Sequence, residues 1–285
     1  MPDAAAPPRQ EGSVLGRIVA ETRDDLARRR AARPEPVLRG LAAARPAPRD
    51  FVAALRCPGL GLVAEVKKGS PSKGPFARDL DHVAAARAFR DGGAAAVSVL
   101  TAPAFFAGDA ELADVAAALA ADAAPCPPLL RKEFIVDPYQ VLESRALGAD
   151  AFLVIVKTVP DAPAIRELIE AGSRLGMAAF AEVTDEAELD LALRAGLAEA
   201  GGAIGINNRD LHTFEEDLGT TERLRPLVPA GIPLVAASGV RTPADLARMR
   251  ACGVDAVLIG EGLTRGGDIA GAIGRLFPGG AGGAA

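Results

Sequence analysis

The sequence predicts a (βα)8 TIM barrel with an N-terminal helical extension, and three observations lead to this fold class. From Gly61 onward, short apolar strands alternate with Ala-rich helices, a pattern typical of a parallel sheet. Eight such units fall within residues 61–277, which matches the usual size of a closed barrel. Polar and ionisable residues recur where the predicted strands end, which is where barrels of this type carry their active sites.

The chain divides into four predicted segments. Residues 1–12 are rich in Pro and Ala, and we expect a disordered tail. Residues 13–60 form the helical extension packed on the barrel: an amphipathic helix starts at Ser13, prolines interrupt the middle, and a short helix lies near residues 50–55. The barrel spans residues 61–277, and residues 278–285 form a flexible Gly/Ala tail.

The eight predicted units follow one another closely. The strands are expected at residues 61–66, 94–99, 128–132, 150–156, 177–182, 202–206, 232–236 and 255–259. The helices are expected near residues 81–91, 109–121, 137–147, 161–175, 185–195, 220–227, 242–252 and 267–276. Seven of these helices begin at a residue suited to N-capping: Asp81, Asp109, Asp137, Asp161, Asp185, Thr220 and Thr242. The alternative, an open doubly wound sheet, predicts a glycine fingerprint after the first strand, where the chain instead has Lys67-Lys68-Gly69-Ser70-Pro71-Ser72.

Composition narrows the class of function. Apolar residues make up 49% of the chain, enough for a large aliphatic core, and the net charge of -5 gives no basic footprint for nucleic acid. No apolar run approaches the ~18 residues of a membrane span, and the N-terminus lacks the pattern of a secretory signal. The three cysteines have no metal-ligand spacing. We therefore expect a cytoplasmic monomer or weak homodimer that acts on a small molecule, without metal, nucleic acid or membrane.

Chemistry-bearing residues gather at the predicted carboxyl ends of the strands. Alternate side chains of a strand share a face, so Glu65 and Lys67 leave the first strand together. An isolated Glu-x-Lys pair is usually a structural salt bridge. The other ends add residues of the same kind: Arg131-Lys132-Glu133-Phe134, Lys157, Glu182, Asn207-Asn208-Arg209-Asp210, Ser238-Gly239 and Gly260-Glu261. Their recurrence around one rim favours an active site.

The last two strand ends indicate a bound phosphate. Ser238-Gly239 follows the seventh strand and Gly260-Glu261 follows the eighth, where barrels commonly bind phosphate through backbone N–H groups. Glycine lets the backbone approach such a ligand closely. Either turn alone could simply be a tight connection, but the pair favours a phosphorylated small-molecule substrate.

Four stretches resemble the signature sequences of the indole-3-glycerol phosphate synthase family, and the similarity spans roughly Ser13 to Phe277. They are residues 64–74 (Ala-Glu-Val-Lys-Lys-Gly-Ser-Pro-Ser-Lys-Gly), 130–135 (Leu-Arg-Lys-Glu-Phe-Ile), 205–211 (Gly-Ile-Asn-Asn-Arg-Asp-Leu) and 238–240 (Ser-Gly-Val). The resemblance implies ring closure of 1-(2-carboxyphenylamino)-1-deoxyribulose 5-phosphate, followed by loss of carbon dioxide and water. It also implies that no cofactor takes part.

The resemblance further implies a role for each residue of the rim. Lys132 is expected to be the acid for ring closure, and Lys67 and Glu65 the acid and base for dehydration. Glu182 is expected to stabilise the charge of the lysines and of the developing iminium. Asn207 completes the expected catalytic set and, with Arg209, orients the polar parts of the substrate. The other expected binding residues are Phe106 and Phe134 around the aromatic ring, Ser70 and Ser238 on the substrate, and Gly239, Gly260 and Glu261 on the phosphate.

One departure from the family pattern affects the catalytic cavity. After the seventh strand the family usually has Ala-Glu-Ser-Gly, whereas this chain has Ala237 in place of the Glu. Loss of that carboxylate should lower the pKa values of the two lysines. Smaller departures are Glu133 for Asp and Gly69 for Ala. The hypotheses left open are a synthase with a reduced or compensated rate, a relative acting on a modified anilino-deoxyribulose phosphate in specialised metabolism, a barrel kept for binding, and an introduced substitution.

A function of another class also fits a phosphate-binding barrel. A phosphosugar isomerase would use the same turns, since fold alone does not determine function. Such an isomerase needs an acid and a base facing each other across the substrate, often Asp or Cys, and no cysteine stands at a predicted strand end. The sequence therefore favours the synthase.

Overall fold

A computed structural model describes residues 13–71, 73–210, 213, 215–278 and 280–281. Eight parallel strands close into a barrel: β1 (Gly61–Val66), β2 (Ala96–Leu100), β3 (Leu129–Lys132), β4 (Ala151–Ile155), β5 (Ala178–Val183), β6 (Ala203–Asn207), β7 (Leu234–Ala237) and β8 (Ala256–Ile259). The barrel closes where β1 pairs with both β2 and β8, with Val63 opposite Ala96 and Gly61 opposite Ala256. The predicted (βα)8 barrel is thus confirmed.

The second and seventh strands begin two residues later than predicted, and each delay has a local cause. Ala94 belongs to the turn that closes the preceding helix, because its N–H donates to Phe89 O and Gly93 has a left-handed φ of 81°. Pro233 lacks an N–H for the ladder, so β7 begins at Leu234.

The helices around the barrel are α4 (His82–Asp91), α5 (Asp109–Ala121), α6 (Pro138–Leu147), α7 (Ala162–Ser173), α8 (Glu186–Arg194), α9 (Gly219–Leu224), α10 (Pro243–Cys252), α11 (Glu261–Thr264) and α12 (Ile269–Leu276). They follow the extension helices α1 (Val14–Ala32), α2 (Glu35–Ala43) and α3 (Phe51–Leu55). None of the helices in the described part of the chain combines the length and apolarity needed to cross a bilayer.

Five predicted N-caps are confirmed by side-chain hydrogen bonds from backbone N–H groups: Asp81, Asp137, Asp161, Asp185 and Thr242. Two are wrong. Asp109 is the first residue of α5, and its carboxylate pairs with Arg131 at 2.6 Å while Gly108 caps the helix. Thr220 lies inside α9, where Asp217 accepts from the N–H of Gly219 at 2.8 Å.

The prolines of the extension predict a break in helical structure, but the structure has helix α2 there. Pro34 is the N-cap residue and Pro36 lies in the first turn, where a missing N–H leaves no intrahelical hydrogen bond unmade. The predicted tail at residues 1–12 lies outside the described residues, as does most of the predicted tail at residues 278–285.

The buried core has one layer between the strands and the surrounding helices, one inside the barrel, and a smaller cluster between α1, α2 and α6. Inside the barrel, the rings of Phe51 from α3 and Phe180 from β5 meet edge to face at 6.0 Å, so α3 helps to fill that layer. Gly205 faces Phe180, and a Cβ at that position would lie 2.4 Å from the ring. Buried apolar area of this kind is the main source of stability in a large domain.

Helix α1 is held to the barrel by ion pairs as well as apolar contacts. Arg29 pairs with Glu143 of α6 and, at 3.2 Å, with Asp109 of α5. Both carboxylates also bind Arg131, a fully buried arginine of β3. Because Arg131 directly precedes Lys132, the network ties the extension to the strand that carries a candidate catalytic lysine.

Candidate active site

Four predicted catalytic side chains meet at the carboxyl end of the barrel. Glu65 is the fifth residue of the six-residue β1, and Lys132, Glu182 and Asn207 stand at or near the ends of β3, β5 and β6. The strand pairing places Glu182 opposite Ile155 and Lys132 opposite Leu100. Because parallel strands of a closed barrel all end on one rim, the structure brings together what the sequence predicted.

Lys67, Glu65, Lys132 and Glu182 form a row of ion pairs in which positive and negative charges alternate, here called the charged chain. Lys67 Nζ lies 3.6 Å from Glu65 Oε1, and Lys132 Nζ lies 3.5 Å from Glu65 Oε2. Lys132 Nζ is also 3.3 Å from Glu182 Oε2. At the far end, Asn207 Nδ2 donates to Glu182 Oε1 at 3.1 Å. Each lysine is 16% exposed and both carboxylates are buried, so the pairs are poorly screened by solvent.

The two lysines differ in their electrostatic surroundings. Burial lowers the pKa of Lys67 below its ordinary value, and Glu65 only partly opposes this because Lys132 and Arg209 add positive charge. Burial also acts to lower the pKa of Lys132, but Glu182 and Glu65 together outweigh it and the pKa is raised. The two lysines therefore shift in opposite directions from the ordinary lysine pKa, because Lys132 has a carboxylate on either side and Lys67 has not.

Glu65 is a carboxylate in spite of its burial. Desolvation acts to raise its pKa, but the charges of Lys132 and Lys67 oppose this more strongly and the pKa is lowered. A hydrogen bond from Ser98 Oγ, at 3.4 Å from Glu65 Oε2, acts in the same direction. The ionised form is the one that can accept a proton.

The charged chain borders a cavity whose other side is largely apolar. Its apolar wall is formed by Leu15 and Ile18 of α1, Phe105 and Phe134. The rings of Phe105 and Phe134 are 6.2 Å apart, and Lys67 Nζ lies 5.4 Å from the centre of Phe105. An apolar pocket with a few convergent polar groups is the usual form of a small-molecule site.

Phe106 does not line this cavity, although the sequence analysis placed it there. Its side chain is 44% exposed, its φ of 61° is left-handed, and its ring lies over Gly69, where an added Cβ would be 2.4 Å away. Phe105 has the wall position instead. Phe105 ends a short 3-10 turn that begins at Pro103, and this turn decides which of two adjacent phenylalanines faces inward.

A second cavity opens from the same charged groups toward the ends of β7 and β8. It shares Glu65, Lys67, Lys132, Arg209 and Ser238 with the first cavity and continues over the two predicted phosphate turns. Ser238 and Gly239 are both left-handed, with φ values of 65° and 81°. At Gly260 a Cβ would lie 2.8 Å from Glu65 Oε1, so a side chain there would displace the carboxylate.

The remaining predicted binding residues lie around the two cavities. The carboxylate of Glu261 pairs with Lys73 at 2.9 Å and with Arg265 at 3.1 Å. Ser70 is buried, lines the first cavity, and accepts from the N–H of Lys73 at 3.2 Å. Arg209 donates its backbone N–H to Asn207 Oδ1 at 3.0 Å, which places it directly beside the charged chain.

Sequence reasoning missed several residues of the site. Leu15 and Ile18 were predicted only as the packing side of an amphipathic helix, and periodicity cannot distinguish packing from cavity lining. Glu216 and Arg241 border the second cavity but lie in loops whose course the sequence does not determine.

Lys67 is expected to set the alkaline limit of activity. A lysine acid is lost as pH rises through its pKa, and Lys67 has its pKa lowered whereas Lys132 has its pKa raised. The value of kcat/KM should therefore fall at a pH below the ordinary lysine pKa of about 10.4. In the measured pH profile of Lys67→Arg, this alkaline fall in kcat/KM should lie at higher pH than in the wild type. A profile that stays flat up to that ordinary value would contradict the assignment.

Comparison with known proteins gives consistent matches over most of the chain. Residues 15–276 match the family model described as indole-3-glycerol phosphate synthase. The chain is 49% identical over 257 residues to "Indole-3-glycerol phosphate synthase 2" of Streptomyces coelicolor, covering 90% of this chain and 95% of that protein. It is 45% identical over 268 residues to "Indole-3-glycerol phosphate synthase" of Roseiflexus castenholzii, covering 93% and 98%.

Solved structures share the fold at low sequence identity. The structure of 3-hexulose-6-phosphate synthase from Salmonella typhimurium aligns with a TM-score of 0.57 at 16% identity, covering 76% of this chain and 96% of that one. The structure of KGPDC from Streptococcus mutans aligns with a TM-score of 0.57 at 14% identity, covering 77% and 95%. At these identities the likeness shows the barrel fold alone.

Proposed function

The chain belongs to the indole-3-glycerol phosphate synthase family, and we propose that it converts 1-(2-carboxyphenylamino)-1-deoxyribulose 5-phosphate into indole-3-glycerol phosphate. This is the carboxy-lyase reaction of tryptophan biosynthesis. The observation that carries the proposal is the row of ion pairs linking Lys67, Glu65, Lys132 and Glu182. This row borders the apolar cavity on one side and the cavity over the glycine turns on the other.

Lys132 is proposed to act in ring closure. Attack of an electron-rich aromatic carbon on the ketone places negative charge on the carbonyl oxygen. Glu65 and Glu182 keep Lys132 protonated, so a fixed positive charge faces that oxygen. The raised pKa does not prevent proton transfer, because the alkoxide that forms is a stronger base than an amine.

Lys67 and Glu65 are proposed to act in dehydration. Expelling hydroxide requires a stronger acid than protonating an alkoxide does, and Lys67 is the lysine with the lowered pKa. Glu65, with its lowered pKa, is ionised and takes up the proton of the indoline carbon. Lys67 Nζ and Glu65 Oε1 are 3.6 Å apart, so Lys67 can protonate the departing hydroxyl while Glu65 removes the proton from the neighbouring carbon.

Glu182 is proposed to stabilise positive charge on the substrate nitrogen. Its Oε2 atom is buried and, in the part of the chain that the structure describes, has the ion pair with Lys132 but no hydrogen bond of good geometry. An acceptor left in this state can take a hydrogen bond from the substrate. The neighbouring oxygen, Oε1, is held by Asn207.

Substrate binding is proposed to divide between the two cavities. Phe134 and Phe105 enclose the aromatic ring, while Phe106 stays at the edge of its loop. Asn207, Arg209, Ser70 and Ser238 contact the polar groups. Backbone N–H groups at Gly239, Gly260 and Glu261 bind the phosphate, and Glu261 contributes only its backbone because its carboxylate is paired with Lys73 and Arg265.

The proposed domain organisation follows from the same contacts. Residues 13–60 form an extension on the barrel of residues 61–277, and α1 completes the cavity with Leu15 and Ile18. We expect the protein to act in the cytoplasm as a monomer or weak homodimer. Sedimentation at working concentrations tests the oligomeric state.

The direct test of function is incubation with the carboxyphenylamino-deoxyribulose phosphate. Indole fluorescence should rise together with release of one carbon dioxide per product. Binding of the substrate without either signal would identify a barrel kept for binding, and isomerised sugar phosphate would identify the isomerase.

The second candidate function is synthesis from a modified aniline, and Ala237 favours it. Ala237 is buried, lies opposite Asn207 in the sheet and lines the second cavity, where the family usually places a carboxylate. A missing side chain at this point leaves space and removes a negative charge. Turnover of ring-substituted substrates compared with the usual one distinguishes the two functions.

Ala237→Glu tests which function applies. If the usual substrate is the natural one, the added carboxylate should raise the pKa of Lys67 and move the alkaline limit of activity to higher pH. Turnover should therefore increase, and the gain should be largest at the higher pH values where the unassisted Lys67 loses its proton. Lys132 should respond less because two carboxylates already flank it. Ala237→Gln is the matched control, since it adds a similar volume without charge. Unchanged or lower turnover in Ala237→Glu, relative to Ala237→Gln, would contradict the ordinary synthase.

A further inference from the structure

A carboxylate at the rim of the second cavity lies between two arginines. Glu216, in the loop between β6 and α9, pairs through Oε1 with Arg209 and through Oε2 with Arg241. Arg209 follows β6, and Arg241 lies in the loop after β7. We propose that Glu216 is a positioning residue that fixes the guanidinium of Arg209 for substrate binding by linking it to the β7 loop.

The backbone around Glu216 is built to hold this contact. Arg209 and Glu216 form an isolated antiparallel bridge, and the N–H of Asp217 donates to Asn208 O at 2.9 Å. The loop therefore folds back on itself and returns Glu216 to the start of the loop. A Cβ at Gly239 would lie 3.7 Å from the Cβ of Glu216, so Glu216 packs directly over the predicted phosphate turn.

Burial distinguishes this pair from an ordinary surface salt bridge. The side chain of Glu216 is 11% exposed and that of Arg209 is 19% exposed, whereas Arg241 is 67% exposed. Isolated exposed pairs contribute little, but a partly buried guanidinium held by a charged acceptor is fixed in direction. Arg241 serves as the outer anchor, and Arg209 is the inner group that lines both cavities.

The same cavity has a second arrangement of this kind. Glu261 bridges Lys73 and Arg265, as Glu216 bridges Arg209 and Arg241. Each of these two carboxylates thus holds a pair of cations at this rim. Such pairing limits the excess of positive charge and fixes where it points, which serves orientation more than attraction of an anion.

The inference rests on the proposed role of Arg209 in orienting the substrate, and it predicts a separation of kcat from KM. Glu216→Gln keeps the size of the side chain but removes its charge, so Arg209 becomes free to change rotamer. Misplacement of a group near the reacting atoms is costly, and kcat should fall about tenfold. Loss of a negative charge near an anionic substrate favours association, so KM should stay constant or fall.

Two further variants make the experiment decisive. Glu215→Gln is the matched control, because Glu215 is exposed and its substitution changes the same charge one residue away. It should retain the wild-type kcat and KM. Arg241→Met removes only the outer anchor from an exposed position, so it should fold normally and lower kcat in the same direction as Glu216→Gln. The double variant should be no worse than Glu216→Gln alone, since both changes act through one contact.

Each result supports or overturns the inference. A tenfold loss of kcat at constant or lower KM, with an unchanged melting temperature, supports positioning. Wild-type kcat in Glu216→Gln, or a loss that follows a lowered melting temperature with KM raised, overturns it. Arg209→Met distinguishes failure of the inference from failure of the proposed function. If Arg209→Met loses turnover and Glu216→Gln does not, only the positioning role of Glu216 is wrong. Wild-type turnover in Arg209→Met would remove both the role of Arg209 and the inference.

Discussion

Replacing Lys132 by alanine is expected to reduce turnover by about 10²–10⁴-fold, the usual contribution of a general acid, while the barrel stays folded. The variant removes the only charge shared by Glu65 and Glu182 among the contacts that the described residues make. Ring closure then lacks both a proton donor and a positive charge facing the developing alkoxide. Steady-state turnover and a thermal melt measure the two parts of this expectation.

Lys157→Ala is the control for this variant. Lys157 also follows a barrel strand, but its ammonium pairs with Glu188 at 3.5 Å and lies outside both cavities. Its replacement should leave turnover near the wild-type value. If Lys132→Ala keeps more than about a tenth of turnover, Lys132 is not the acid for ring closure.

Replacing Lys67 by methionine is expected to reduce turnover by about 10²-fold or more through the dehydration step. Glu65→Gln should block the same step, and it should also weaken ring closure because Glu65 pairs with Lys132 as well as Lys67. The matched control is Lys68→Met. Lys68 is the next residue but pairs with Glu111 at 2.8 Å, outside both cavities. A comparable loss of turnover in Lys68→Met would assign the effect to the loop and not to the acid.

The fold could be predicted because local signals agree with the barrel at almost every element. Strand and helix alternate, and five of the seven predicted caps bind backbone N–H groups as expected. The exceptions have separate causes. The carboxylate of Asp109 is held in a tertiary ion pair with Arg131, whereas Pro34 and Pro36 occupy the cap and the first turn of α2, where a helix tolerates proline.

The position of the charged residues could be predicted because barrel geometry brings the strand ends together on one rim. Geometry placed Glu65, Lys132, Glu182 and Asn207 there, whereas their proposed roles came from the resemblance to the family. The different pKa directions of the two lysines could not be predicted, because they depend on how many carboxylates reach each ammonium. Phe106 was predicted for the cavity wall, but its neighbour Phe105 has that position, because a short 3-10 turn determines which ring faces inward.

The central claim is that the two lysines serve different steps, and quenched single-turnover mass spectrometry tests it most directly. Each protein, wild type, Lys132→Ala and Lys67→Met, is mixed in excess with the carboxyphenylamino-deoxyribulose phosphate, and the reaction is stopped with cold organic solvent at neutral pH. The account predicts that Lys132→Ala accumulates only unreacted substrate, whereas Lys67→Met accumulates a cyclised, decarboxylated species that still carries the water. The same species at the same fractions in both variants would contradict it.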